Sequence, residues 1–146
     1  MIVVIDTNII FSALLSPTGH ISNVILSSPN HIQFYAPSFL KEELENHKSK
    51  ILKISSYSSS EFEYLKLSLF KIIEFIDVEN IKPDIWQIAY DITHKIDEDD
   101  TPFIALTLAL ESFLWTGDKK LIRGLKAMNF KKFIDTQELI KLQERL

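Results

Sequence analysis

The sequence contains no cysteine, and this absence excludes both disulfide bonds and thiolate metal sites. It also lacks a long hydrophobic run, since its apolar stretches fall well short of the roughly 20 residues that a membrane-spanning helix needs. The N-terminus lacks the basic segment, apolar region and small-residue cleavage site that mark a secretory signal. We therefore expect a soluble, cytoplasmic protein with no membrane partner.

An excess of positive charge is missing as well. The chain has 16 basic and 20 acidic residues and a net charge of −4, whereas proteins that bind nucleic acids electrostatically are usually basic. The charges are nevertheless unevenly placed, because four consecutive acids occupy 97–100 and a basic segment follows Asp118. An acidic pocket with a basic flank would suit a metal-dependent enzyme that acts on a polyanion, and ordinary solvated helix faces would give the same pattern.

Length and patterning predict a single α/β domain over residues 1–146. Short apolar runs alternate with helical patterns, which favours a mostly parallel sheet of about five strands covered by helices on both faces. Ser38, Ser60 and Thr101 are the predicted N-caps of three of the helices, and Pro102 is at a first helical position. The predicted strands are 2–5, 33–36, 75–78, 113–116 and 133–134. The predicted helices are 8–15, 21–26 (followed by a break over 27–30), 38–52, 60–73, 85–95, 101–111, 119–125 and 136–146.

Two aspartates follow predicted strands. Asp6 comes directly after the apolar run 2–5, and Asp118 follows 113–117 in the same way. Sites in open parallel sheets form outside the carboxyl ends of the strands, so two carboxylates delivered there suggest a metal site. Each aspartate could equally be an ordinary helix N-cap, as could Thr7 and Asn8.

Two further acids fall at element junctions expected on the same edge of the sheet. Glu43 shares the inward side of its helix with Phe39 and Leu40, and a buried acid is rarely unpaired. Glu42 lies on the outward side, where the helix dipole explains it. Asp100 directly precedes a helix start, and its alternative is a solvated acidic loop.

The four carboxylates are more informative together than singly. Concentrated carboxylates repel one another unless a cation neutralises them. Oxygen ligands without cysteine favour Mg²⁺ or Mn²⁺ over zinc. Such an ion would activate a water molecule and stabilise charge on a transferring phosphoryl group.

Four motifs resemble those of the PIN-domain ribonucleases, especially the VapC-like toxins of toxin–antitoxin pairs: 4–8, 37–44, 100–106 and 115–118. The resemblance implies a three-layer α/β/α fold and Mg²⁺- or Mn²⁺-dependent endonucleolytic cleavage of RNA. It also implies frequent homodimers and inhibition by a cognate antitoxin. The catalytic, metal-binding residues that it implies are Asp6, Glu43, Asp100 and Asp118. The supporting residues are Thr7, Asn8, Asp97 and Thr116, and the candidate contacts to the RNA backbone are Lys119, Lys120 and Arg123.

Two other kinds of protein share parts of this pattern. Haloacid-dehalogenase-like phosphatases and receiver domains also place an aspartate after the first strand. The phosphatases, however, need a second aspartate two residues later, where this chain has Asn8. A non-catalytic module that keeps the fold and binds RNA or protein is the remaining alternative, and an intact acidic quartet argues against it.

Overall fold

The computed structural model describes residues 1–28 and 31–145. Its centre is a sheet of five parallel strands in the order β3-β2-β1-β4-β5. The strands are β1 (Ile2–Ile5), β2 (Gln33–Pro37), β3 (Ile73–Ile76), β4 (Phe113–Trp115) and β5 (Phe133–Ile134). The predicted α/β class and the five-stranded parallel sheet are confirmed.

Helices cover both faces of the sheet and complete a three-layer α/β/α sandwich. In the described residues they are α1 (Thr7–Leu15), α2 (His20–Ser27), α3 (Leu40–Asn46), α4 (Lys48–Ser55), α5 (Ser59–Ile72), α6 (Pro83–Thr93), α7 (Thr101–Ala109), α8 (Lys119–Ala127) and α9 (Thr136–Arg145). Helix α2 contacts α1, α5 and α9 in one layer, and α6 contacts α7 and α8 in the other. Short 3-10 helices occupy Val78–Asn80 and Glu98–Asp100.

The core lies on both sides of β1. Val3, Val4 and Ile5 are fully buried, as expected for a parallel strand that has helices on both faces. Trp115 at the end of β4 is also fully buried, and its ring packs 6.0 Å from that of Phe34. These contacts hold β1, β2 and β4 together.

The strand order reverses between β1 and β4. From β1 the chain proceeds to β2 on one side, and from β4 it proceeds to β5 on the other. The loops that leave the two strands therefore diverge and open a crevice at their carboxyl ends, which is where open α/β sheets bind ligands. Asp6 and Thr116 are the first residues after the two strands, so they lie at this crevice.

Gly124 brings α8 close to the segment that precedes the acidic run. A Cβ atom at this glycine would lie 2.5 Å from the Ile96 side chain, which is too close for any real contact. The glycine therefore permits a close approach that any other residue would prevent. Since Asp97 directly follows Ile96, this packing places the acidic run beside α8.

The predicted helix 38–52 is wrong in its continuity and its cap. The structure has two helices, α3 and α4, which meet at His47, and Phe39 rather than Ser38 occupies the N-cap position of α3. The Ser38 hydroxyl instead donates to Asp77, just beyond β3. The Ser38 side chain, which the local pattern predicts as a helix cap, thus forms a tertiary hydrogen bond instead.

Several smaller predictions also shift by two residues. The capping box that begins α5 is formed by Ser58 and Glu61, two residues earlier than predicted, and Glu63 instead forms ion pairs with Lys48 and Lys66. Strand β3 likewise begins two residues early, because α5 ends at Ile72. Helix α7 ends at 109 rather than 111, α6 covers 83–93 rather than 85–95, and α8 continues to 127 rather than 125.

Asp100, not Thr101, occupies the N-cap position of α7. Thr101 is the first helical residue, so Pro102 is second rather than first as predicted. The Thr101 hydroxyl lies 2.6 Å from that of Thr93 in a buried pair. The hydroxyl is therefore used between α6 and α7 rather than at the helix start.

Two predicted boundaries involve residues outside the described ranges, namely Pro29 and Asn30 after α2 and Leu146 at the end of α9. Within 1–28 and 31–145, no single helix is long and apolar enough to cross a membrane, and α1 with α2 reach that length only as a pair bent by 104°.

Candidate active site

Asp6 is held at the end of β1 by hydrogen bonds to both carboxylate oxygens. Its Oδ1 accepts from the backbone N–H of Ile9 at 3.2 Å and so caps α1. Its Oδ2 accepts from the Thr116 hydroxyl at 2.6 Å. The side chain is only 5% exposed, and burial raises its pKa although these hydrogen bonds oppose the rise. Asp6 is therefore both a helix cap and a buried acid tied to another strand.

Thr116 links the Asp6 carboxylate, after β1, to the backbone of Asp118, after β4. While its hydroxyl donates to Asp6, its Oγ1 accepts from the backbone N–H of Asp118 at 3.1 Å. The residue is fully buried, and it lies 110 residues from Asp6 in the chain. We refer to Asp6, Thr116 and Asp118 together as the strand-end corner.

Asp118 caps α8 with one of its two oxygens. Its Oδ1 accepts from the N–H groups of Lys120 and Leu121 at 3.0 and 3.1 Å. Both bonds go to the same atom, so the cap leaves Oδ2 available to a ligand. The half-buried side chain lines a cavity at this edge of the sheet.

The acidic segment, residues 97–100, forms the opposite side of that cavity. Asp97 Oδ1 accepts from the Asp99 N–H at 3.0 Å, which begins the 3-10 helix Glu98–Asp100. Among the residues described, Asp100 makes no side-chain cap bond to α7. Burial and then the charge of Asp97, with smaller contributions from Asp6, Asp118 and Asp99, raise the pKa of Asp100 to about 7.

Glu43 reaches the cavity from α3. It is half-buried, whereas its neighbour Glu42 is exposed, as the helical spacing predicts. The Thr7 hydroxyl, at the start of α1, donates to Glu43 Oε2 at 3.4 Å. This contact brings helices that follow two neighbouring strands to the same place.

These side chains enclose one cavity of about 600 Å³, which we call the acidic cavity. Its lining residues are Thr7, Asn8, Phe39, Glu43, Asp97, Glu98, Asp99, Asp100, Pro102, Phe103 and Asp118. Asp6 and Thr116 lie buried beside it, and the negative charge of Asp6 contributes to the raised pKa of Asp100. The structure thus brings the four predicted acids and their predicted supporting residues to one edge of the sheet.

Comparison with known proteins agrees with this architecture. The family described as PIN domain matches residues 4–143, which is nearly the whole chain. The chain belongs to the PIN-domain family. The resemblance inferred from the four motifs is therefore confirmed at the level of the family.

This PIN domain has a relative that is similar in sequence and another that is similar in fold. The uncharacterized protein MJ1680 of Methanocaldococcus jannaschii is 31% identical over 123 residues, which are 82% of this chain and 72% of that protein. A chain with the same fold occurs in the crystal structure of VapBC2 from Rickettsia felis, in which VapBC2 is bound to a DNA fragment from its promoter. The match has a TM-score of 0.69 at 17% identity and covers 92% of this chain and 98% of that chain.

The donor set of the PIN domain suits a hard divalent cation. Carboxylate, hydroxyl and amide oxygens line the acidic cavity, and such ligands suit Mg²⁺ or Mn²⁺. In the part of the chain that the structure describes, no three His, Asp or Glu side chains already stand in the arrangement of a metal's ligands. The fit therefore rests on the oxygen donors and on the raised pKa values of Asp6 and Asp100, because a cation would relieve the cost of their charge.

The predicted basic contacts lie outside the lining of the acidic cavity. Lys119, Lys120 and Arg123 are exposed in the first turns of α8, directly after Asp118. Their position beside the cavity is compatible with contact to the backbone of a bound RNA strand, and their positive charge excludes them as ligands of the predicted metal.

Sequence reasoning missed an aromatic pair in the cavity wall. The rings of Phe39 and Phe103 meet edge to face, with centroids 5.8 Å apart, and both side chains line the acidic cavity. Both positions are apolar and belong to motifs with an acid nearby, so pattern alone assigns them to the core. An apolar wall lowers the local dielectric and strengthens the electrostatic effect of the carboxylates.

Proposed function

We propose that this PIN domain is a Mg²⁺- or Mn²⁺-dependent endoribonuclease, the toxin of a toxin–antitoxin pair. The observation that carries the proposal is the convergence of Asp6, Glu43, Asp100 and Asp118, from four separate segments, at one crevice of the sheet. Membership in the family supports the fold and the class of site, and it disfavours the phosphatase-like and receiver-like alternatives.

The carboxylates would hold the cation through their oxygens, each in an arrangement set by a neighbour. Thr116 fixes Asp6 Oδ2, and Thr7 restrains Glu43 Oε2. A bound divalent ion would polarise the phosphate and lower the pKa of a water molecule. In the hydrolysis, the water gives up a proton as its oxygen forms a new bond to phosphorus, the bond to the ester oxygen on the far side breaks, and that leaving oxygen takes up a proton.

The acidic cavity also makes RNA binding depend on the cation. A phosphate group is repelled by Asp97, Asp99 and Asp100 as long as their charge is unbalanced. Lys119, Lys120 and Arg123 would contact the backbone of the strand outside the cavity. Replacing one of these with alanine should lower the salt dependence of binding by about 0.7 in the logarithmic slope expected for a single strand.

The test is an RNase assay with Mn²⁺ and with Mg²⁺. We expect Asp6→Asn and Asp118→Asn to lose at least about 100-fold in rate, the upper end of the effect of residues that only support a metal's ligands. Asp135→Asn is a matched control, since Asp135 also follows a strand and caps a helix, where its Oδ1 accepts from the Glu138 N–H at 2.8 Å. Absence of cleavage by the wild type, or equal cleavage by all variants, would refute the nuclease proposal.

The toxin role is tested separately. A cytoplasmic location, an antitoxin partner and a homodimer are parts of the same proposal. In Rickettsia felis, VapBC2 is a complex bound to promoter DNA, and the shared fold supports a similar partner here. We expect expression to arrest growth, and Asp6→Asn or Asp118→Asn to restore it. Growth arrest that persists in both variants would separate toxicity from the acidic cavity.

A non-catalytic RNA- or protein-binding module is the second candidate. It is favoured by one observation, namely that within the described ranges no three acidic or histidine side chains already form a metal's ligand set. The same assay separates the two, because a binding module would retain RNA without cutting it. Calorimetric titration with Mn²⁺ adds an independent readout, since Asp6→Asn and Asp118→Asn should weaken metal binding only if the carboxylates are ligands.

A further inference from the structure

A second cavity of about 590 Å³ adjoins the acidic cavity. We call it the aromatic cavity; its lining includes Glu79, Trp86, Gln87, Tyr90, Glu98 and Pro102. Glu98 and Pro102 line both cavities, so the two are continuous across the start of α7. A polymer that occupies the acidic cavity with one unit can therefore place a neighbouring unit in the aromatic cavity.

Two flat rings are held in place in this cavity. Trp86 and Tyr90 are one helical turn apart on α6 and share a face. The Trp86 Nε1–H donates to the Val78 carbonyl oxygen at 3.1 Å, which fixes the plane of the indole. Tyr90 stacks on His94 with ring centroids 5.1 Å apart, yet 42% of it remains exposed. The rings are thus oriented before any ligand binds.

The polar groups of the aromatic cavity suit a base rather than a phosphate. Glu79 and Glu98 repel a phosphate, while their carboxylates can accept hydrogen bonds from the amino groups of bases, as acidic side chains do with cytosine N4. Gln87 adds an amide that can donate or accept. Uracil carries no exocyclic amino group and would leave these acceptors poorly satisfied.

We propose that the aromatic cavity binds one nucleobase of the strand whose phosphate lies in the acidic cavity, and that it prefers bases with an exocyclic amino group over uracil. The inference rests on the proposed function, because the strand is the RNA of that proposal. Stacking on aromatic side chains accepts any base, and the two carboxylates select among them. Tyr90 therefore contributes affinity for any base, and Glu79 and Glu98 are the specificity-determining residues.

The test uses nucleosides, which carry no phosphate and cannot be cleaved. The indole N–H signal of Trp86 reports on the aromatic cavity in a ¹⁵N NMR titration, and that of the fully buried Trp115 is an internal reference. We expect adenosine and cytidine to shift the Trp86 signal, and uridine to bind at least about fivefold more weakly. No metal is needed, so the measurement is independent of catalysis.

Two pairs of variants make the expectation specific. Tyr90→Ala should weaken adenosine binding about fivefold or more and Tyr90→Phe should restore it, since stacking needs the ring and not the hydroxyl. Tyr64→Ala is the control, because Tyr64 is a tyrosine on α5 that is 77% exposed. Glu79→Gln should reduce the preference over uridine, whereas Glu144→Gln on α9 should leave it unchanged.

The outcomes separate this inference from the proposed nuclease. If the wild type cleaves RNA but no nucleoside shifts the Trp86 signal, or Tyr90→Ala and Tyr64→Ala bind alike, the base-binding inference is wrong and the nuclease stands. If nucleosides bind as expected but RNA is not cut, the nuclease proposal fails and the aromatic cavity remains a base-binding site.

Discussion

The two sides of the acidic cavity hold their carboxylates by different means. In the strand-end corner, Asp6 and Asp118 accept hydrogen bonds from backbone N–H groups, and the Thr116 hydroxyl links their loops. In the acidic segment, Asp100 has no such side-chain cap bond within the described residues, and it lies among other acids. Hydrogen-bond donors position the carboxylates of the strand-end corner, whereas the acidic segment brings several negative charges together.

The two sides therefore differ in what they would contribute to a cation site: one the positions of the ligands, the other the electrostatic energy of binding. Hydrogen bonds to a carboxylate favour its charged form, whereas burial and like charges oppose it. The strand-end corner would therefore fix where a cation binds. The acidic segment would be the part that the bound cation stabilises most, because the cation offsets the repulsion among its carboxylates. Three predictions test this division, beginning with the largest effect.

Of the changes in these three predictions, Thr116→Val should lower the stability of the protein most. The substitution keeps the shape of the side chain, but it removes the donor to Asp6 Oδ2 and the acceptor for the Asp118 N–H. We expect the free energy of unfolding to fall by about 1–3 kcal/mol, the cost of buried polar groups left without partners. Activity should fall about 10- to 100-fold, as for residues that orient metal ligands. Chemical denaturation and the RNase assay measure the two effects.

Thr107→Val is the matched control for Thr116. Thr107 is also buried, and its hydroxyl donates to the Phe103 carbonyl oxygen at 2.7 Å inside α7. We expect its loss to cost less than about 1 kcal/mol, because only an ordinary local hydrogen bond disappears. Equal effects at the two threonines would contradict a special role for the strand-end corner.

Replacing the acids with alanine should affect stability in opposite directions on the two sides of the acidic cavity. Asp118→Ala removes an N-cap and should lower the free energy of unfolding by about 0.5–2 kcal/mol. Asp100→Ala removes a carboxylate whose charge is disfavoured, so the metal-free protein should become no less stable, and its melting temperature should stay equal or rise. Thermal denaturation in EDTA measures both variants. A clear loss of stability in Asp100→Ala would disprove the proposed cost of its charge.

The smallest expected effect is the pH dependence of stability without metal. The pKa of Asp100 is raised from an ordinary value of 3.8 to about 7 in the folded protein, and that of Asp6 is also raised. The folded state therefore binds these protons more tightly than the unfolded state does, so the contribution of these two groups to stability is greatest at low pH and falls as pH rises from near 3.8 through about 7.

Melting temperatures in EDTA between pH 5 and pH 8 measure this effect. We expect the wild type to lose stability across that range, and Asp100→Asn to lose less. The comparison between the two proteins removes the contribution of other titrating groups. Divalent cations should raise the melting temperature of the wild type most at the upper end of the range, where the carboxylates are charged. Identical profiles for both proteins would rule out Asp100 as the source.

Much of the fold was accessible from sequence because its signals are local. The continuous apolar runs of β1 and β4 and the helical start at Pro102 each predict an element within a few residues of its observed position. Errors occur where a distant contact overrides the local pattern. Ser38 is used by Asp77 rather than as a cap, and Glu63 is used by Lys48 and Lys66 rather than in a capping box.

The candidate site divides in the same way. The acids could be placed at one edge of the sheet because parallel strands share that edge. The hydroxyl bridge at Thr116 could not be derived from pattern, since it depends on a contact across 110 residues. Trp86 and Tyr90 also escape notice, because aromatic residues at helical spacing usually indicate core, and only the structure reveals that Tyr90 is exposed beside a cavity.

The bridge between Thr116 and Asp6 has a consequence for the synthesis of the protein. The strand that begins the chain cannot complete its acidic corner until β4 has been translated and paired beside it. Such a long-range pairing forms late, since a long loop must close first. A nascent chain, or one truncated before Asp118, would therefore lack the complete corner. If the protein is the toxin proposed above, its harmful activity would arise only after Asp118 has left the ribosome and β4 has paired with β1.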